Sequence, residues 1–251
     1  KLNNQIYENN KISYSVIIPC YNSEGSIKKL VNEIVKHSTE LELFTLNEII
    51  CVNDNSKDNS LEVLLKMETE IKVLKLINNS ENLGQVKSTL KGIEYSNSDF
   101  IITLDDDLQH PPKEINKLLL FCYENKFDFV TGFWKNDETF FRNITSFIAN
   151  FLINLSSFGS LNYRITAFRV INKKIKIKIL KKFKNNDLMD LRKISNNYGS
   201  ILIEHNPNPL NRNYSNFLVR FRITIKYIFI DNFLLPTILS VLFIALYFLY
   251  L

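Results

Sequence analysis

The sequence predicts an α/β fold built on a mostly parallel sheet, and three observations carry that expectation. Short apolar, β-branched runs alternate with stretches of helical periodicity from Ser15 to Gly132. Each run stops at polar or turn-forming residues, so it is short enough to be a buried strand. The chain of 251 residues is 45% hydrophobic and 23% charged, which suits a folded core and excludes a disordered chain. Strands joined through helices form right-handed βαβ units with parallel neighbours.

The elements follow in order. Ser15 to Pro19 is a strand closed by proline, and Ser26 to His37 is a helix whose apolar face is Ile27, Leu30, Val31 and Ile34. Glu48 to Val52 is the second strand. Asn59 to Glu70 is a helix carrying Leu61, Val63, Leu64, Leu65 and Met67. Lys72 to Ile77 is the third strand, Asn82-Leu83-Gly84 a turn, and Gln85 to Tyr95 a helix. Phe100 to Leu104 is the fourth strand. Pro111-Pro112 sits where proline is tolerated at a helix start, and Ile115 to Tyr123 continues that helix. Phe127 to Thr131 is the fifth strand, closed by Gly132. In such sheets ligands bind beyond the carboxyl ends of the strands, which singles out the loops after Ile18, Val52, Ile77 and Leu104.

Beyond Gly132 the alternation breaks. Phe140 to Phe158 is long and apolar. Ile165 to Ile171 and Ser200 to Glu204 read as strands, and Asp187 to Asn197 as a helix. Seven lysines between Lys173 and Lys184 form a basic run, read as a solvated face, with attraction to anionic lipid as the alternative. Ser215 to Phe229 is nearly amphipathic, as in a helix lying on a membrane surface. Phe233 to Leu251 carries no charge. Such a run is a core helix or a membrane span. Its length of about 28 Å as a helix and its lack of a polar face favour the span. Arg212, Arg220, Arg222 and Lys226 precede it, with Asp231 the only acid after Glu204, which sets the preceding domain on the cytoplasmic side. The expected organisation is a polar segment 1–12, a catalytic domain 13–212, a juxtamembrane helix 213–232 and a transmembrane helix 233–251. No secretory leader is expected, since no charged n-region with an apolar h-region opens the sequence.

The net charge of +5 is too mild to imply nucleic acid without clustering, and no nucleic-acid partner is expected. Cys20, Cys51 and Cys122 are odd in number and lack a CxxC spacing. They read as buried or loop thiols in a reducing compartment. His37, His110 and His205 are isolated and form no metal-ligand pattern.

The strongest local signal is Asp105-Asp106-Asp107-Leu108-Gln109-His110. Three carboxylates straight after a buried strand repel unless they meet a cation, and hard oxygen ligands suit Mg²⁺ or Mn²⁺. If the segment stays extended, Asp105 and Asp107 share one side and Asp106 faces the other. The same residues also read as an acidic loop capping the next helix. Asp54, at another strand end, suits a base or ribose, or else a plain Asx turn. His110 reads as a loop residue with no catalytic duty, and Trp134 as packing or sugar stacking.

Taken in order, Ile17-Ile18-Pro19-Cys20-Tyr21-Asn22, Val52 to Ser60, Asn82-Leu83-Gly84 and Leu104 to Pro112 resemble glycosyltransferase family 2. Within it they resemble the polyprenyl-phosphate (dolichol- or undecaprenyl-phosphate) glycosyltransferases, over about residues 13–231. The resemblance implies a GT-A type, Rossmann-like nucleotide-diphospho-sugar transferase domain. It implies donor contacts at Pro19, Tyr21, Val52, Asp54, Asp106 and Gln109, and a metal-and-diphosphate pair at Asp105 and Asp107. Arg142 matches the family's basic residue opening a helix, and Arg169 the end of a small-residue-Phe-Arg segment. Arg212 to Phe217, including Ser215, resembles the segment that closes over donor and acceptor phosphate. Arg142, Arg169, Arg212 and Ser215 are thus acceptor-phosphate candidates, because the guanidinium fork matches phosphate oxygens. Asp105, Asp107, Arg142 and Arg212 are the catalytic set. Lys135 stands near the place of an arginine common in the family. Relatives often carry two or more membrane helices, so a tail cut within or after the first is expected.

The implied activity is inverting transfer of a sugar from a nucleotide-diphosphate donor to a polyprenyl phosphate at the cytoplasmic membrane face, for cell-surface glycan synthesis. The expected partners are the donor, the lipid acceptor and the bilayer, and membrane packing favours a homo-oligomer. An acceptor phosphate is already anionic at neutral pH and needs little general base. A saccharide hydroxyl as acceptor would need one, with Asp106 or Asp187 the candidates. A non-catalytic membrane scaffold that binds sugar nucleotide is the remaining reading.

Overall fold

The computed structural model describes residues 11–40, 42–134, 166–183 and 189–206. They belong to one compact unit, drawn from Lys1–Trp134 and Ile165–Asn211. The strands are β1 (Ile12–Cys20), β2 (Phe44–Asn53), β3 (Leu74–Asn78), β4 (Phe100–Thr103), β5 (Phe129–Phe133), β6 (Arg169–Asn172) and β7 (Tyr198–Leu202). The helices are α1 (Ile27–Ser38), α2 (Ser60–Glu70), α3 (Gln85–Tyr95), α4 (Glu114–Glu124) and the short α5 (Lys176–Lys182). The seven strands form one sheet in the order β3-β2-β1-β4-β6-β5-β7. Every pairing is parallel except those of β6, which runs antiparallel to β4 and β5. The expected mostly parallel α/β sheet is therefore present.

Alternation along the strands covers both faces of the sheet. Val16, Ile18, Ile49, Cys51, Ile102 and Val130 pack in one core with α1, α2 and α4. The intervening residues face the other way. There Gly92 of α3 lies against Ile17 and Val52, close enough that only a glycine lets this helix approach β1 and β2. The helical face read for α1 is the buried one, Ile27, Leu30, Val31 and Ile34. In α2 the buried face is narrower than expected. It holds Leu64 and Met67 while Leu65 is exposed, because only one side of that helix meets the sheet.

Three expectations need correction. The helix read from Asp187 to Asn197 is not there over its described part, which holds a single 3-10 turn at Leu191–Lys193. Asp190 stands in extended conformation as the N-cap of that turn, its carboxylate taking the Arg192 backbone N–H and pairing with its guanidinium, with Nη2 at 2.7 Å, so no helix runs through it. The strand read from Ile165 begins only at Arg169, and the strand read as Ser200–Glu204 is Tyr198–Leu202. The lysine run is mostly solvent-exposed, as read: Lys173, Lys174, Lys178, Lys181 and Lys182 are exposed and Lys176 is half-buried. Lys173 pairs with Asp99 at 3.2 Å, and Lys176 donates to the carbonyls of Glu94 and Ser96 at the end of α3. Both anchors lie at the end of the sheet opposite the β1, β2 and β4 carboxyl ends.

All three cysteines are buried free thiols. Among the described residues no helix is long and apolar enough to cross a membrane. The segments 213–232 and 233–251 lie outside the described residues, as do Lys135, Arg142, Asp187, Arg212 and Ser215.

Candidate active site

The carboxyl ends of β1, β2, β3 and β4 meet at one edge, and hydrogen bonds knit their loops together. The amide of Asp54 donates to Cys20 O at 2.8 Å, and that of Asn79 to Asn53 O at 2.9 Å. Asn22, in the left-handed region at φ 52°, accepts from Lys57 N–H through its side chain and donates its amide to Ser56 Oγ. Asparagine tolerates that conformation better than most residues. These ties hold Tyr21 at the rim, 42% exposed, beside half-buried Pro19. An exposed aromatic ring on a fixed loop suits a flat ligand such as a base.

Asp54 is almost fully buried. Its carboxylate accepts from Asn79 Nδ2 at 2.9 Å and from the amides of Leu83 and Gly84, both at 2.8 Å. Gly84 has φ 87° and precedes the first turn of α3. Asp54 thus fixes the third loop and the start of α3. These partners lie 25–30 residues away, so its side chain ties two loops together and does not make the plain Asx turn that the sequence offered. Val52 is fully buried, with its side chain in the core against Gly92. Any donor contact by Val52 is therefore made by its backbone.

The triple aspartate is not extended. β4 ends at Thr103, the chain bends over residues 106–108, and Leu108 takes a left-handed φ of 65°. That conformation is strained for leucine. It is held by Asp107 Oδ1, which accepts from Gln109 N–H at 3.0 Å, and by Asn206, whose side chain donates to Leu108 O at 3.0 Å and whose amide donates to Gln109 O at 2.9 Å. The alternation expected for an extended segment therefore does not apply. Asp106 turns inward, is buried, and accepts the Tyr21 amide at 3.1 Å. It joins the first loop to the fourth. Asp105 lies at the rim and accepts from Gln85 Nε2, at the first position of α3.

The electrostatics follow from this bend. Burial, and then the charges of Asp107 and Asp106, push Asp105 up to about 7, against the pull of Arg169 and Gln85. Crowded carboxylates of this kind fit a hard divalent cation, which would relieve their repulsion. Among the described residues no group of three or more His, Cys, Asp or Glu is arranged to hold a metal by itself. Asp105 and Asp107 are the two carboxylates that the family resemblance assigns to such an ion.

Arg169 starts β6 next to Thr103 of β4, is buried, and donates from Nη1 to Met189 O at 2.8 Å. Its charge acts on both Asp105 and His110. Of the acceptor-phosphate candidates it is the one among the described residues, and it sits beside the aspartates. Gln85, Asn206 and a site role for His205 escaped the sequence reading, which singled out Trp134 for packing or sugar stacking. Gln85 had a signal, a polar side chain opening a helix directly after Asn-Leu-Gly. Asn206, and the stack of Trp134 on His205 at 4.1 Å with an 8° interplanar angle, had none. They meet only because β5 and β7 are neighbours in the sheet.

The model of the family described as glycosyl transferase family 2 matches residues 15–180. An undecaprenyl-phosphate 4-deoxy-4-formamido-L-arabinose transferase from Proteus mirabilis is 34% identical over 166 residues, covering 64% of this chain and 49% of that protein. The enzyme of the same description from Salmonella choleraesuis is 32% identical over 161 residues, covering 62% and 48%. The chain therefore spans about half the length of these two relatives. Among solved structures, glucosyl-3-phosphoglycerate synthase from Mycobacterium tuberculosis, in complex with uridine diphosphate, aligns with a TM-score of 0.61 at 12% identity, covering 89% of this chain and 79% of that one. Mannosyl-3-phosphoglycerate synthase from Rubrobacter xylanophilus aligns at 0.59 with 13% identity, covering 85% and 70%. At such identities the likeness speaks for the fold, a GT-A-like α/β domain. The family match runs from β1 into α5 and takes in every loop that carries Tyr21, Asp54 and the three aspartates. On that ground the chain belongs to glycosyl transferase family 2.

Proposed function

We propose that the protein transfers a glycosyl group from a nucleotide-diphosphate sugar to a polyprenyl phosphate at the cytoplasmic face of a membrane, with inversion at the anomeric carbon. The observation that carries this reading is the row formed over the strand ends. Exposed Tyr21 follows β1, the Asp54-held loop follows β2, and Asp105 and Asp107 follow β4 in the adjoining position. Across the sheet these loops stand in the order β2, β1, β4, which suits a nucleoside over the first two and its diphosphate over the third. The named activity of the relatives supports the lipid-phosphate acceptor.

In the proposed step a phosphate oxygen of the lipid attacks the anomeric carbon from the side opposite the nucleotide. The new C–O bond forms as the bond to the donor diphosphate breaks, and nucleoside diphosphate leaves with the electron pair. A bound Mg²⁺ or Mn²⁺ supplies charge neutralisation on the leaving diphosphate. Asp105 and Asp107 are the residues that would hold it. Tyr21 and the loop fixed by Asp54 orient the nucleotide, and Arg169 adds positive charge beside the aspartates. Arg142, Arg212 and Ser215 are assigned to the phosphates by the family pattern. The segments 213–232 and 233–251 are assigned to a membrane-surface helix and a membrane span.

The test is release of nucleoside diphosphate in detergent from a panel of UDP-, GDP- and dTDP-sugars, with and without undecaprenyl phosphate. The expected result is release that requires both the lipid and a divalent metal and is lost in Asp107→Ala. Donor binding without lipid-dependent release would overturn the lipid-phosphate acceptor.

A further inference from the structure

His110 is a buried polar side chain that the chemistry above does not use. It is 3% exposed, and neither ring nitrogen has a hydrogen-bond partner. Its burial keeps the imidazole neutral, with one N–H donor and one acceptor nitrogen. Buried groups of this kind are nearly always paired, and an unpaired one costs about 1–3 kcal/mol. An orphan of this kind calls for a partner that the described residues do not supply.

The surroundings identify the ligand class. The His110 ring faces Phe168 at 5.2 Å, Trp134 at 5.5 Å and His205 at 6.0 Å. Trp134 and His205 are half-buried and stacked on each other, so part of the stack reaches solvent. These rings follow or precede β5, β6 and β7, on the far side of β4 from Tyr21 and Asp54. Neighbouring strands are about 4.8 Å apart. A nucleotide over β2 and β1 with its diphosphate at β4 therefore directs the attached sugar ring toward this wall. A pyranose has an apolar C–H face and a rim of hydroxyls. An aromatic stack matches the first and a neutral imidazole the second.

We propose that His110, backed by Trp134 and His205, contacts the transferred sugar and sets which sugar the donor carries. The inference rests on the donor reading above. Its role is to hydrogen-bond a hydroxyl or amide on the sugar rim while the stacked rings cover the ring face.

The test is titration of the full chain in detergent, with Mn²⁺, by UDP, GDP, UDP-glucose, UDP-N-acetylglucosamine and GDP-mannose. Wild type, His110→Phe and His110→Gln are compared, with thermal melting of each. The expected wild type ranks sugars that share one nucleotide. In His110→Phe that ranking flattens by about tenfold, the worth of one buried hydrogen bond. Affinity for the free nucleoside diphosphate stays within about twofold, and the melting temperature is equal or higher, because an unpaired polar group has gone. His110→Gln restores part of the ranking. Equal loss for nucleoside diphosphate and sugar nucleotide, an unchanged ranking, a wild type that binds all sugars of one nucleotide alike, or loss of the fold in both variants overturns the proposal. A wild type that binds no nucleoside diphosphate overturns the donor reading itself, and this inference with it.

Discussion

Replacing Asp54 by Asn tests whether this residue holds the site together or only touches a ligand. The carboxylate takes three N–H groups, from Asn79 Nδ2 at 2.9 Å and from Leu83 and Gly84 at 2.8 Å. Asn keeps the shape but turns one acceptor oxygen into a donor. At least one of the three N–H groups then faces an NH₂ and loses its partner. A hydrogen bond to a charged group is worth about 1.5–3 kcal/mol, and the surviving bonds lose their charge assistance. The expected loss is about 2–4 kcal/mol. For a domain of this size each kcal/mol moves the melting temperature by about 2–4 °C, so a fall of roughly 4–16 °C is expected without nucleotide present. Amide exchange at Leu83 and Gly84 should quicken in parallel. The assay is thermal unfolding of the ligand-free protein, with hydrogen exchange on the same variant. A melting temperature within about 1 °C of wild type, together with weaker nucleotide binding, would refute the reasoning. Asp54 would then serve the ligand and not the loop.

Two further predictions concern charge and packing. Asp105 is pushed up to about 7, whereas an unfolded aspartate titrates near 4. Between those values the folded protein holds a proton that the unfolded chain has lost, so this group favours folding most at low pH and loses that contribution as pH rises through about 7. The melting temperature of metal-free protein should therefore fall from pH 5.5 to 8, with a smaller slope in Asp105→Asn. Identical slopes in the two proteins would count against the crowding of the aspartates. Gly92→Ala should gain about 1 kcal/mol of helix propensity but force a methyl into Ile17 and to 3.3 Å from Val52. Overpacking of about 1–3 kcal/mol outweighs the gain. A lower denaturation midpoint with an unchanged slope is expected, and a stabilised variant would show that α3 can move away.

The first half of the fold was legible in the sequence because its signals are local. Ile27, Leu30, Val31 and Ile34 fall on one helical face whatever lies opposite, and Val16-Ile17-Ile18 suits a strand buried on both sides. The family likeness was legible for the same reason, since the loops after β1, β2 and β4 are contiguous pieces of chain. The segment after Gly132 was harder. Asp187 to Asn197 has a helical look, but the Asp190–Arg192 pair stabilises a different turn. That pairing depends on a buried setting that no periodicity reveals.

The sequence by itself determined that carboxylates stand after the fourth strand, and that an aromatic and an aspartate stand after the first and second. Side-chain direction was decided by tertiary structure. Asp106 is turned inward onto the Tyr21 amide, and the neighbouring bend at Leu108 is held by Asn206, distant in sequence and adjacent only through β7. His110 faces Trp134 and His205 because β6, β5 and β7 lie side by side. Strand order is a long-range property, fixed by the burial of whole faces. It is strand order that turns separate loops into one site.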